Sequence, residues 1–91
     1  MSQTLTITSL FTVLRNHLAL ARDQKNAAEL EKLFGAFILI GDAAIECEDE
    51  AVIDLAETLE GAARRALEEH DWKSKLPSET DIQRLLTGHE S

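Results

Sequence analysis

The densest group of side chains that could bind a metal ion is the stretch from Glu46 to Glu50, which reads Glu-Cys-Glu-Asp-Glu. Carboxylate oxygens are among the ligands that Ca²⁺ prefers in proteins. A calcium loop of the EF-hand type, however, needs oxygen ligands at alternating positions and a glycine at its sharp turn, and no glycine occurs between Gly41 and Gly61. The spacing therefore favours a solvated junction between two helices over a metal site.

The other reactive side chains form no recognisable catalytic or zinc-binding pattern. His17, His70 and His89 fall on three different segments and lack the short spacings typical of zinc ligands. His17 borders an apolar run, so we expect a hydrogen-bonded packing residue. Cys47 has acidic neighbours that disfavour its thiolate, so we expect a small buried side chain rather than a nucleophile. The sequence therefore predicts a protein without a catalytic site, a metal or a cofactor.

Hydrophobic periodicity predicts that four helices position these residues, at about residues 9–22, 27–47, 50–71 and 79–87. Residues suited to cap their N-termini are Thr8 or Ser9, Asn26, Asp49 and Ser78. The second and third helices are long and adjacent in the chain, which favours an antiparallel hairpin. We expect an all-α fold, a small helical bundle built on this hairpin. We expect residues 1–7 to be extended and residues 88–91 to form a loose tail.

The second helix carries more apolar surface than one neighbouring helix can cover. Its main seam recurs at steps of three and four residues: Leu30, Leu33, Phe37, Ile40, Ala44 and Cys47. The same spacing defines two further sides. The Phe34 side comprises Phe34, Ile38 and Ile45, and the Leu39 side comprises Ala36, Leu39 and Ala43. We expect the third helix to cover the seam and the first helix to cover the Phe34 side, which leaves the Leu39 side to meet another chain.

Two glycines interrupt this apolar helix, Gly35 and Gly41. Glycine costs about 1 kcal/mol relative to alanine inside a helix, so its presence needs a reason. We expect close approach of a neighbouring backbone at both positions. A kink at Gly41 is the alternative.

Acidic residues dominate the middle of the chain. Residues 42–71 contain eleven acidic and two basic side chains, whereas residues 1–41 carry a net charge of +1 and residues 72–91 are neutral. The predicted acidic face comprises Glu46, Glu50, Asp54, Glu57 and Glu60. Further along the same helix, Glu60, Arg64 and Glu68 are spaced for ion pairs between successive turns. Such a field disfavours direct binding to nucleic acid or to an anionic membrane, and it favours solubility or a basic partner.

The length of 91 residues fits one small domain, residues 1–91, and no Gly/Ser-rich linker divides it. Domains of this size are often stabilised by dimer formation. The longest run without a polar side chain, residues 33–41, is about half of what spans a bilayer. Because the sequence also has a single cysteine and no pattern of an export signal, we expect a cytoplasmic protein.

Together these features predict a non-catalytic protein-interaction module. We expect a homodimeric regulator, adaptor or inhibitor that binds another protein through its apolar helix, for example to block dimerisation of that protein. The predicted interface residues are Phe34, Ala36, Ile38, Leu39, Ala43 and Ile45. One alternative is an acidic mimic of nucleic acid that occupies the basic groove of a nucleic-acid-binding protein. Another is a small enzyme whose site is assembled across a dimer.

Overall fold

The structure, a computed structural model, describes residues 6–87 as four helices and their connections. The helices are α1 (Ile7–Asp23), α2 (Ala27–Glu46), α3 (Glu50–Glu69) and α4 (Glu79–Thr87). No strand occurs within residues 6–87. The predicted all-α bundle is therefore confirmed. The predictions for residues 1–5 and 88–91 lie outside the described residues.

The first helix begins earlier than predicted. Thr6 is its N-cap, and the Thr6 hydroxyl oxygen accepts a hydrogen bond from the backbone N–H of Ser9 at 3.0 Å. Thr8 and Ser9, the predicted caps, lie inside the first turn, and Ile7 is helical rather than extended. The alternating run before the helix concealed this start, because Thr6 reads equally well as a strand residue.

The other three predicted caps are confirmed. The side chains of Asn26 and Asp49 accept hydrogen bonds from the backbone N–H groups three residues later, at 3.2 Å and 3.3 Å. Ser78 and Asp81 form a reciprocal pair, in which each side chain accepts from the other residue's backbone N–H at 3.1 Å. The backbone N–H of Ser78 chiefly, and its side chain in addition, hydrogen-bond the Asp81 carboxylate and hold the pKa of Asp81 below its usual value.

The α1–α2 and α2–α3 connections have the same backbone conformation. Lys25 and Glu48 each adopt a left-handed conformation, with φ of 52° and 56°. The next residue then donates its backbone N–H to a carbonyl five residues earlier, as Asn26 does to Ala21 at 2.9 Å and Asp49 does to Ala44 at 3.0 Å. Asn26 and Asp49 thus bond back to the preceding helix and are also the N-caps of the following one. Each connection therefore needs only three residues to reverse the direction of the chain.

The α2–α3 hairpin forms most of the core by packing large side chains against small ones. Leu30, Leu33 and Phe37 of α2 are buried. The buried residues of α3 are mostly smaller: Val52, Leu55, Ala56, Leu59, Ala62, Ala63 and Ala66. Helix α1 adds Phe11 and Leu18, and α4 adds Ile82, all with no exposed surface. Helix α4 contacts α1 and α3.

Arginines of α1 hold the connection between α3 and α4 against the bundle. Arg22 is only 7 % exposed, and its guanidinium donates to the backbone oxygen of Ser74 at 2.7 Å and to the Ser74 hydroxyl at 3.2 Å. Seven residues earlier on the same face, Arg15 donates to the backbone oxygen of Pro77 at 2.9 Å. Burial lowers the pKa of Arg22, while the negative charge of Asp71 acts in the opposite direction.

The expected close approach at Gly35 is wrong. A Cβ atom built on Gly35 would meet nothing within 4 Å, whereas one on Gly41 would lie 3.8 Å from the Cβ of Ala56, an ordinary contact. Helix α2 is continuous through both glycines.

Replacing Gly35 by Ala is therefore expected to raise the free energy of unfolding by about 0.5–1 kcal/mol, because alanine loses less backbone entropy in a helix. Urea titration followed by circular dichroism would measure the change. A destabilised Gly35→Ala variant would contradict the open space around this position.

Candidate protein-interaction surface

The six residues predicted to form an interface all retain solvent-accessible surface. Leu39 is 70 % exposed, Ile45 is 59 % exposed and Ile38 is 38 % exposed. Ala43 is also exposed, and Phe34 and Ala36 are half-buried. Large apolar side chains are thus open to solvent on α2, although the hairpin buries its main seam.

These residues lie on two sides of α2. Gly41 faces α3, as its distance to Ala56 shows. At about 100° per residue, the Phe34 side lies on one flank of this line of contact, and the Leu39 side lies on the other flank and the back of the helix. The structure therefore does not bring the six residues together as one patch.

Helix α1 packs on the opposite flank from the one predicted. Ile7 and Leu10 of α1 share a groove with Ile40 and Ala43 of α2, so α1 lies next to the Leu39 side. The prediction that the first helix covers the Phe34 side is wrong, and Ile38 and Ile45 remain exposed. Periodicity shows which residues share a face, but it does not show which neighbour reaches that face.

This apolar groove encloses about 370 Å³ where the start of α1 meets the α2–α3 connection. Its lining residues are Ile7, Leu10, Ile40, Ala43, Ala44, Cys47, Asp49 and Val52. Sequence reasoning included Ala43 in the interface but missed Ile7, which it placed outside the helix, and Leu10, whose position beside α2 depends on how the helices pack. Ile7 is 44 % exposed at the edge of the groove.

The acidic residues are dispersed over more than one side. Glu50, Asp54 and Glu57 follow one exposed side of α3, Glu60 is half-buried on a neighbouring side, and Glu46 is the last residue of α2. The predicted ion pairs of Glu60, Arg64 and Glu68 do not form. Within residues 6–87 the structure shows one ion pair, between Arg65 and Asp71 at 3.9 Å.

A second recess, the acidic cleft, adjoins the apolar groove. It encloses about 600 Å³ and is lined by Cys47, Glu48, Asp49, Glu50, Ala51, Asp54 and Leu85. Cys47 and Asp49 belong to both recesses. The two recesses therefore lie next to each other, with the apolar groove on the α1 side and the acidic cleft towards the start of α3.

Two expected packing residues are solvent-exposed. Cys47 is exposed rather than buried, because α2 ends at Glu46 and the seam ends with it. His17 is exposed on α1 rather than packed. No group of three or more His, Cys, Asp or Glu side chains in the described part of the chain is arranged to hold a metal ion.

None of the four helices has the length and apolar character needed to cross a membrane.

Comparison with known proteins gives no match: no family model fits the chain, and no curated protein and no solved structure is significantly similar to it.

Proposed function

We propose that the chain is a non-catalytic interaction protein that forms a homodimer and binds a further protein as a regulator, adaptor or inhibitor. The observation that carries this proposal is the exposure of Ile38 and Ile45, which share the Phe34 side of a helix whose main seam is part of the core. Exposed apolar side chains that share one face commonly mark interaction sites. The proposed regulator would act by occupying a surface that its target uses for its own assembly.

The Phe34 side is the proposed self-association surface because it extends across the hairpin. On α3, Val52 lies in the groove beside α1, and helical spacing places Ile53 and Leu67 on the other flank of Ala56, away from α1. Both side chains are half-buried. Phe34, Ile38, Ile45, Ile53 and Leu67 together define the open face of the hairpin.

The open face approaches the size of a stable protein interface. A helix of 20 residues is about 30 Å long and about 10 Å wide, so two helices side by side present about 600 Å² before side-chain relief is counted. Stable interfaces bury about 800 Å² on each partner. Two copies related by a two-fold axis would bury the same residues on both chains and place the two hairpins in a four-helix arrangement.

The proposal predicts that Ile38→Glu and Ile45→Glu separately convert a dimer into a monomer. Each substitution buries a carboxylate in the interface, and each is expected to raise the dissociation constant at least about 100-fold. Light scattering coupled to size exclusion, over a dilution series at low and high salt, measures the mass. The wild-type dimer should persist at high salt, since its contacts are apolar.

Leu20→Glu is the matched control, because Leu20 is 55 % exposed on α1 and lies outside the open face. It should remain dimeric, and all three variants should keep the helical circular dichroism spectrum. A wild-type monomer at every concentration, or dimers in both isoleucine variants, would refute self-association through this face.

The acidic mimic of nucleic acid is the second candidate, and the exposed series Glu50, Asp54 and Glu57 supports it. These carboxylates recur along one side of α3 without an ion-pair partner among the described residues. A mimic of this kind needs charge alone and would not depend on the neighbouring apolar groove.

A further inference from the structure

We propose that the apolar groove and the acidic cleft together bind a cationic amphipathic segment of another protein. In this complex an apolar side chain of the segment enters the groove, and its Lys or Arg side chains lie against Asp49, Glu50 and Asp54. This inference rests on the proposed function, in that the chain acts by binding another protein, and it specifies the surface and the chemistry of that partner.

The groove supplies the apolar part of the site. Seven of its eight lining residues are apolar or a thiol, and its volume of about 370 Å³ falls in the range of about 300–1,000 Å³ typical of ligand pockets. Ile7 and Ala43 at its margin are exposed, so a side chain can enter from solvent. Leu85 of α4, which is 45 % exposed, adds an apolar contact at the far end of the adjoining cleft.

Charge identifies the partner. Residues 46–54 contain five acidic side chains and no basic one, and none of the five forms an ion pair within the part of the chain that the structure describes. A second copy of this chain, with its net charge of −8, would bring like charges together here. A segment of another protein that carries basic residues beside apolar ones could place an apolar side chain in the groove and its charges against the acidic cleft.

The test uses synthetic helical peptides as probes of the full chain. The first peptide has one leucine face and one lysine face, the second replaces lysine by glutamate, and the third replaces leucine by serine. We expect the leucine–lysine peptide to shift the amide NMR signals of Ala43, Cys47, Asp49 and Asp54, and the other two to bind at least about tenfold more weakly.

Two pairs of variants separate a specific site from general attraction to an acidic protein. Ala43→Trp fills the groove, and its control Ala28→Trp adds the same side chain at an exposed position in the first turn of α2. Glu50→Gln with Asp54→Asn removes two charges from the cleft, and Glu31→Gln with Glu68→Gln removes two charges elsewhere. Each site variant should weaken binding about tenfold, and each control less than about twofold.

Equal weakening by the control charge variant, or equal binding of the serine–lysine peptide, would overturn the inference, because binding would then depend on net charge alone. Absence of peptide binding would also overturn it. The molecular mass measured in the same samples distinguishes this inference from the proposed self-association. A dimer that does not bind the peptide would support self-association and refute this site. A monomer that binds the peptide would support this site and refute self-association.

Discussion

Replacing Phe37 by Ala is expected to lower the free energy of unfolding by about 3–5 kcal/mol, the largest effect of any substitution considered for α2. Phe37 is 1 % exposed and lies in the middle of the helix, where it packs into the core shared with α3. Truncation removes its transfer free energy and leaves a cavity. Small domains are stable by only about 5–15 kcal/mol, so the variant would lose a large part of its stability.

Leu39→Ala is the matched control for Phe37→Ala, since Leu39 is two residues away on the same helix and 70 % exposed. It should change the free energy of unfolding by less than about 0.5 kcal/mol. Urea titrations at one fixed protein concentration would measure both. Equal destabilisation by the two substitutions would show that the core does not lie on the side of α2 that the structure assigns to it.

The second large effect is expected at Arg22, where substitution by Ala should cost about 2–4 kcal/mol. The guanidinium is almost fully buried, and both of its hydrogen bonds to Ser74 would be lost. Hydrogen bonds made by charged groups contribute about 1.5–3 kcal/mol, and the carbonyl of the half-buried Ser74, left without this donor, adds a smaller penalty. Arg22→Lys should restore little, because one ammonium group does not reproduce the fork of donors.

Arg15→Ala is the comparison for Arg22→Ala, because Arg15 is half-buried and makes one hydrogen bond to this connection, at Pro77. Its expected cost is about 1 kcal/mol. Denaturant titration gives the stabilities, and hydrogen exchange at residues 72–76 reports whether the connection opens locally. If Arg22→Ala kept the wild-type free energy of unfolding and the wild-type hydrogen exchange at residues 72–76, Arg22 would not hold this connection against the bundle.

Sequence reasoning succeeded where the signal is local. Asn26, Asp49 and Ser78 were identifiable as caps because the residue that caps a helix and the N–H that it accepts from lie three positions apart. The buried seam of α2 followed from helical spacing in the same way. The prediction that Cys47 is buried was wrong because Cys47 lies just past the last helical residue, where helical spacing no longer determines which way a side chain points.

The features that the sequence did not reveal depend on contacts between distant segments. Nothing near Arg22 indicates that Ser74, 52 residues later, will lie against it. The side of α2 on which α1 packs, and hence the apolar groove, is likewise a property of the assembled bundle. The excess of apolar surface on α2 was therefore predictable from helical spacing, but which side stays exposed and which side lines a groove was not.

The lengths of the connections have a consequence for the order of folding. Helices α2 and α3 meet across a three-residue turn, so little chain entropy opposes their pairing. The hydrogen bond from Arg15 to Pro77, in contrast, closes a span of 62 residues. We therefore expect the hairpin to form early and α4 to join α1 last, so that the two arginines of α1 close the chain into its final arrangement.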